Sequence, residues 1–283
     1  MLLVTGATGV VGSAVVRELL ALGVPFKVLV RDPRKVAHLP ERIERIAGDF
    51  ADSAAVERAV RAATRVFLLS PSIDKPGFAR TLAVLRAARV ADAPHIVKLS
   101  TLEAGVSQDG IARWHRDEEL QLEDSGLAWT FVRPGNFNSN ALGWADSIRA
   151  QGKVFAPTGS GQSAPIDPRD IAAVVAHALT APAQDEQVYR LTGPELLSVP
   201  QQTAILARVL GRELSFVDVD PDELGADLRQ QHVPEPLVAA LVELWKVVRA
   251  EQHPVITDTV SYVLGRPART FEQWARENRQ AFE

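Results

Sequence analysis

Two hydrophobic rhythms alternate along the first half of the chain. Short apolar, β-branched runs predict strands at Leu2–Thr5, Phe26–Val30, Ile43–Ala47, Arg65–Leu69, His95–Leu99 and Trp129–Val132. Longer amphipathic segments between them predict helices at Val10–Leu22, Ala54–Ala62, Phe78–Ala88 and Ile111–Asp124. In the first of these, Val11, Val15, Leu19 and Leu22 share one face, and Gly23 closes the helix. Strands alternating with helices of this length predict an α/β fold, a doubly wound parallel Rossmann sheet.

After Pro134 the rhythm changes. Helices are expected at Val199–Leu210, Asp222–Gln230, Pro236–Arg249 and Thr270–Phe282, with isolated strands near Gln187–Leu191 and Glu213–Val219. The expected organisation is a nucleotide-binding domain over 1–135, to which 167–192 returns. Residues 136–283 form a smaller, mainly helical C-terminal substrate subdomain.

Composition narrows the classes. Of 283 residues, 46% are hydrophobic and 23% charged, which excludes a disordered chain, a coiled coil and a collagen-like fibre. The net charge of −4 and the lack of a basic stripe argue against direct nucleic-acid binding. Cysteine is absent, which removes disulfides, thiolate metal sites and a cysteine nucleophile. The six His are scattered, and no metal site is expected. Without a signal-peptide core or an apolar run of membrane-spanning length, a soluble cytoplasmic protein is expected.

The chemistry begins between the first strand and helix. Thr5-Gly6-Ala7-Thr8-Gly9-Val10-Val11-Gly12 has the spacing G-x-x-G-x-x-G. Gly6 permits a sharp turn, Gly9 lets backbone approach a pyrophosphate, and Gly12 lets helix pack on strand. The helix N-terminus offers free N–H groups and partial positive charge to phosphates. Gly6, Thr8, Gly9, Val10, Val11 and Gly12 are therefore cofactor-binding candidates. Strand two is followed by Arg31-Asp32-Pro33-Arg34-Lys35. Asp32 could hold the ribose hydroxyls of NAD, whereas Arg31 with Arg34 and Lys35 favours the 2′-phosphate of NADP. NADPH is the expected cofactor, with NAD as the alternative.

Other strand ends should line the same crevice. Asp49 could meet the adenine amino group, or serve as a turn residue, and Phe50 could meet the ring. Ser70-Pro71 should pass under the cofactor ribose. Ser100 either faces the cofactor or bonds to nearby backbone.

These residues resemble the atypical short-chain dehydrogenase/reductase superfamily, NmrA-like branch. The likeness rests on the glycine turn, Arg31, Leu68-Leu69-Ser70-Pro71, Ser125-Gly126-Leu127, Val132-Arg133-Pro134 and Asp170-Ile171-Ala172. It continues through Tyr189-Arg190-Leu191-Thr192-Gly193-Pro194, Gly211-Arg212 and Gly265-Arg266-Pro267, and so spans nearly the whole chain. The second half looks most like the NAD(P)H:quinone oxidoreductase and azoreductase-like members. The resemblance implies NAD(P)(H) binding. It does not imply catalysis, because some members resemble transcriptional co-regulators.

Ordinary short-chain dehydrogenases use Tyr-x-x-x-Lys. Here Gly193 stands four residues after Tyr189 and Arg266 four after Tyr262, so that dyad is absent. His115 stands where the tyrosine is expected, with Glu119 one turn on. Quinone reductase-like relatives carry a His…Glu pair here, which makes His115 and Glu119 the catalytic candidates by resemblance. An imidazole could orient or protonate a carbonyl oxygen; a solvent-facing polar helix is the plainer alternative. The resemblance also places Arg133–Asn140 beside the nicotinamide. It implies that Pro134 sets the turn, Phe137 walls the ring, and Asn136 or Asn140 bonds the carboxamide or substrate. Trp144 is a candidate lining residue of the acceptor pocket, ordinary core being the alternative.

Two functions follow. The first is an NAD(P)H-dependent oxidoreductase passing hydride to a quinone-like or other conjugated small-molecule acceptor. The second is a non-catalytic redox sensor acting through a regulatory protein partner. A monomer or homodimer suits either.

Overall fold

A computed structural model gives the protein's structure and describes residues 1–70, 75–91, 95–107, 110–182, 186–250 and 254–283; for 75–78 it describes backbone alone. In chain order the elements are β1 (Leu2–Thr5), α1 (Val10–Ala21), β2 (Phe26–Val30), β3 (Glu44–Ala47), α2 (Ser53–Val60), β4 (Arg65–Leu68), α3 (Lys75–Val90), β5 (His95–Leu99), α4 (Gly110–Glu123) and β6 (Trp129–Pro134). They continue with α5 (Ala145–Gln151), β7 (Lys153–Ala156), β8 (Gln162–Ser163), α6 (Pro168–Thr180), β9 (Gln187–Leu191) and β10 (Leu197–Ser198). The last are α7 (Val199–Leu210), β11 (Ser215–Asp218), α8 (Pro221–Gln230), α9 (Glu235–Arg249), α10 (Thr259–Leu264) and α11 (Phe271–Glu277).

The chain forms two compact units. One comprises 1–108, 112–134 and 171–190; the other comprises 109–111, 135–170 and 191–283.

The first unit is built on a seven-stranded sheet of order β3-β2-β1-β4-β5-β6-β9. Strands β1 to β6 pair parallel, with Val4 opposite both Val28 and Phe67. The order reverses between β1 and β4, and in open sheets of this kind ligands bind at the strands' C-terminal ends beside that point. Both sheet faces are covered, so β1 and β2 are buried at every position and β4 and β5 at all but one end residue each. Leu3, Val66, Leu68, Ile96 and Phe131 form the core with Val56, Val60, Leu85 and Leu122 from the helices. In α1 the buried face is Val11, Val15 and Leu19, whereas Leu22 falls just past the last turn and is exposed.

The second unit contains more strand than the sequence rhythm predicts. The expected isolated strand at Glu213–Val219 is β11, which pairs parallel with β7 from Ser215↔Lys153 to Asp218↔Ala156. Strands β8 and β10 form a two-residue antiparallel pair. The helix expected over Thr270–Phe282 begins behind a Thr270/Gln273 capping box, ends at Glu277 and closes in a 3₁₀ turn. Ile148, Val154, Leu206, Phe271, Trp274 and Phe282 make this unit's core. Among the described residues, no helix is long and apolar enough to cross a membrane.

Candidate active site

The glycine turn has the geometry that phosphate binding requires. Gly6 sits at φ +64°, where a side chain is strained. A Cβ on Gly12 would lie 2.0 Å from the Gly6 carbonyl oxygen, so only glycine lets α1 seat against the turn. A Cβ on Gly9 would meet that same oxygen at an ordinary 3.5 Å. Gly9 is instead the N-cap of α1, makes no side-chain cap, and is exposed with Thr8 and Val10. The first-turn N–H groups of α1 are thus left without a capping side chain or a nearby acid, as an anionic diphosphate needs. Val11 contributes only backbone, since its side chain is buried. These residues fit a dinucleotide phosphate.

At the tip of β2 the two alternatives separate. Asp32 caps the 3₁₀ turn at Pro33–Val36, accepting from the Arg34 backbone N–H at 3.0 Å. It also takes the Arg34 guanidinium at 2.9 Å through each oxygen. Arg34, first in effect, holds the Asp32 carboxyl below its usual range. Asp32 and Arg34 therefore neutralise one another. Arg31 is exposed and in no ion pair among the described residues. Asp49 is exposed after β3; its Oδ1 accepts from the Ala51 N–H at 2.8 Å, so the turn role is realised through one oxygen. Phe50 packs part of its ring on the sheet core.

The hydroxyl of Ser70, expected under the ribose, is turned inward. It is buried, bonds Thr81 Oγ1 at 3.1 Å and donates to Glu118 Oε2 at 3.1 Å. A committed hydroxyl leaves only Ser70 backbone for a cofactor. Pro71 lies outside the described residues.

Ser100 behaves differently. Its backbone N–H continues the ladder to Val132, but its buried Oγ has no partner among the described residues. His115 on α4 is partly exposed as a residue, yet its Nδ1 is sealed from solvent and also lacks a partner among the described residues. Buried polar atoms are normally satisfied, and a bound ligand is a common source of the missing partner. Desolvation, and then the charge of Lys98, hold His115 well below its ordinary 6.5, so the ring is neutral at physiological pH. Protonation by an imidazolium, one of the two roles considered for His115, is thereby disfavoured. The folded state resists protonating a ring that the unfolded chain protonates near 6.5, so stability should fall as pH drops below that value. Urea midpoints between pH 8 and 5 should show a smaller acid-side loss in His115→Gln than in the parent.

Glu119 is not the partner of His115. It is fully buried, and Arg133 grips both oxygens, Nε to Oε1 at 2.9 Å and Nη2 to Oε2 at 2.6 Å. Arg116 adds a third contact at 3.2 Å and is itself held by Glu123. A carboxylate with three of its roughly four accepting positions taken by guanidinium groups anchors α4 on β6. These contacts give Glu119 a structural task beside the catalytic role expected of it. The residue one position earlier, Glu118, faces Lys98 at 2.7 Å, both side chains being at most 1% exposed.

In the second unit, Gly135 and Asn136 lead into a 3₁₀ turn over Asn138–Trp144 for which Phe137 is the N-cap; Pro134 ends β6 in the first. Phe137 is partly buried and bridges to Ile166. Asn136 and Asn140 are exposed and hydrogen-bonded to each other. Trp144 is partly buried and packs on this unit's core. Sequence reasoning missed Asn138, fully buried with its amide between the Pro165 carbonyl and the Asp167 N–H. It also missed why Asp170 and Gly265-Arg266-Pro267 both occur: Arg266 pairs with fully buried Asp170 at 2.7 Å, and the Arg269 N–H donates to the same carboxylate. Tyr189 is buried on β9 and Tyr262 is exposed on α10.

A family of NAD(P)H-binding proteins matches residues 6–182, from the first glycine of the turn through α6. The chain belongs to this NAD(P)H-binding family. It is 39% identical over its whole length to a (4-alkanoyl-5-oxo-2,5-dihydrofuran-3-yl)methyl phosphate reductase of Streptomyces griseus, covering 99% of that protein. It is 37% identical to the NAD(P)H azoreductase of Xenophilus azovorans, with 100% and 99% of the two chains covered. An NADPH-dependent quinone oxidoreductase of Escherichia coli, solved with NADPH, superposes with a TM-score of 0.87 at 26% identity over 98% of this chain and 99% of that one. The fold is thus the quinone oxidoreductase type of Rossmann fold, which NmrA, a negative transcriptional regulator, shares at a TM-score of 0.79 and 18% identity; the azoreductase matched over nearly its full length is named for NAD(P)H.

Proposed function

We propose that this NAD(P)H-dependent reductase prefers NADPH and reduces a conjugated acceptor of the quinone-like class. The observation that carries the reading is the pair of buried, unpartnered polar atoms, Ser100 Oγ and His115 Nδ1, in the same unit as an uncapped glycine turn. NAD(P)H, when bound, supplies a hydride. The turn binds its diphosphate through backbone N–H groups, and Arg31 meets the 2′-phosphate. Ser100 and a neutral His115 hold polar atoms of the acceptor or of the cofactor's carboxamide, which fixes the rings against each other.

The relatives' names support the acceptor class. An alkanoyl dihydrofuranone, an azo compound and a quinone are all conjugated π-systems. Hydride adds to one end, and the electron pair it displaces spreads over the rest. Water can then protonate the resulting anion. Orientation becomes the protein's main task, and a pKa-tuned tyrosine is not required.

The test is oxidation of NADPH by the purified protein with simple quinones, an azo dye and a dihydrofuranone, with NADH in parallel. Acceptor-dependent oxidation is expected. Tight binding without turnover on any acceptor would overturn the catalytic reading. Arg31→Ala should raise the Kd for NADPH about tenfold or more, the loss of one charge-assisted phosphate contact, and leave that for NADH within about twofold.

A further inference from the structure

One buried charged cluster has no place in this chemistry so far. Lys98 is the fourth of five residues in β5 and Glu118 lies on α4; their side chains are 0% and 1% exposed and 2.7 Å apart. Glu118 Oε2 also accepts from Ser70 Oγ after β4, and Ser70 shares a hydrogen bond with Thr81 of α3. Lys98 Nζ donates to the Leu99 carbonyl at 3.1 Å. Four segments are therefore tied through one dry polar knot.

For folding alone such a pair is a poor choice. Desolvation of two charges consumes most of their attraction, and well-packed apolar residues of similar volume are as stable or more so. What the pair does supply is register. Strands β5 and β6 are parallel, so α4 between them runs back against β5. From Lys98, two residues on along β5 is Ser100, about 7 Å nearer the C-terminal edge. From Glu118, three residues back along α4 is His115, about 4.5 Å in that same direction and on the same helix face. The two unpartnered atoms, Ser100 Oγ and His115 Nδ1, are thereby carried to one edge of the sheet by a single ionic contact.

We propose that the Lys98–Glu118 ion pair is a positioning element of the reductase: it locks α4 against β5 so that Ser100 and His115 present their polar atoms to the same ligand. The inference rests on the reading of Ser100 and His115 given above. A second effect follows from the same geometry. Lys98 is the cation that reaches the imidazole and helps to keep it neutral. The other charges nearby are spent: Arg116 on Glu119 and Glu123, Asp117 on Arg113, and Arg133 on Glu119. An apolar pair at 98 and 118 would fill the space and leave His115 with burial alone.

The experiment compares the parent with Lys98→Met/Glu118→Leu, a double substitution that removes both charges together. The variant should keep its melting temperature and bind NADPH within about twofold, because the glycine turn is untouched. Its kcat should fall at least tenfold, and the His115 resonance, followed by NMR in the apoprotein, should titrate at higher pH than in the parent. Retained kcat with an unmoved His115 titration overturns the proposal. So does a parent protein whose His115 titrates at its ordinary value, a measurement that needs no variant to fold. If the parent turns over no acceptor at all, the reductase reading fails by itself, whereas the NMR titration still reports whether the pair governs the ring.

Discussion

Gly12→Ala should abolish NADPH binding and cost the protein much of its stability. The added methyl would sit 2.0 Å from the Gly6 carbonyl oxygen and 2.6 Å from its carbon, and both are backbone atoms that no rotamer change can move. Either α1 lifts from the turn or the turn opens. Overpacking of this kind costs about 3 kcal/mol, which for a chain of this size is a fall in Tm of roughly 5 °C. Gly9→Ala is the matched control. Its methyl meets the Gly6 oxygen at 3.5 Å, an ordinary contact, so the fold should survive with only a small N-cap cost of about 1 kcal/mol. The new methyl would nevertheless stand where a diphosphate approaches the helix, and NADPH affinity should drop at least tenfold. Thermal shift with and without NADPH, with calorimetric titration, separates the two. A Gly12→Ala protein that binds NADPH normally would exclude this turn as the cradle.

That contrast shows why part of the molecule could be read from its sequence. The glycine spacing carries its meaning locally: strand, turn and helix follow within a dozen residues, and the steric demand at Gly6 and Gly12 arises inside the motif. The central strands were legible because burial on both faces leaves continuous apolar runs, and their ends fell within two residues of expectation. The short pair β7–β11 was not, because two four-residue strands separated by about sixty residues carry little local signal. The polar interior was hidden for the same reason. Helical spacing suggested Glu119 as the companion of His115, but successive helical residues point about 100° apart, so Glu118 reaches β5 and Glu119 reaches β6. Only long-range pairing decides which does which. One signal was nonetheless on the page, a lysine inside the apolar run His95–Leu99. A buried strand tolerates Lys98 only with polar partners for its ammonium, here the Glu118 carboxylate and the Leu99 carbonyl. Asp170 and Arg266 give a similar lesson, two motifs that look independent until the fold joins them.

Removal of Glu119 should be the most damaging single change on α4, through stability and not through chemistry. Its carboxylate is fully buried and bound by Arg133 through two parallel hydrogen bonds. The Arg133 side chain is only 13% exposed, with its guanidinium 5.9 Å from the Phe131 ring centre and the Gly105 backbone close by. Glu119→Ala would strand that cation in a dry site, at about 3 kcal/mol, the low end of the range for a broken buried pair because some solvent reaches it. Arg116 keeps Glu123 and is spared. Glu119→Met/Arg133→Met removes both charges and should recover most of the loss, so the double-mutant cycle should show a coupling of about 2 kcal/mol. Denaturant midpoints measure it. Glu119→Gln then distinguishes an anchor from a catalytic acid. It preserves shape and one accepting oxygen, yet it cannot shuttle a proton. An anchor predicts a lower urea midpoint with kcat within about fivefold of the parent. A catalytic carboxylate predicts the reverse, an unchanged midpoint and a kcat reduced by the factor of about a hundred or more that a lost general acid or base costs.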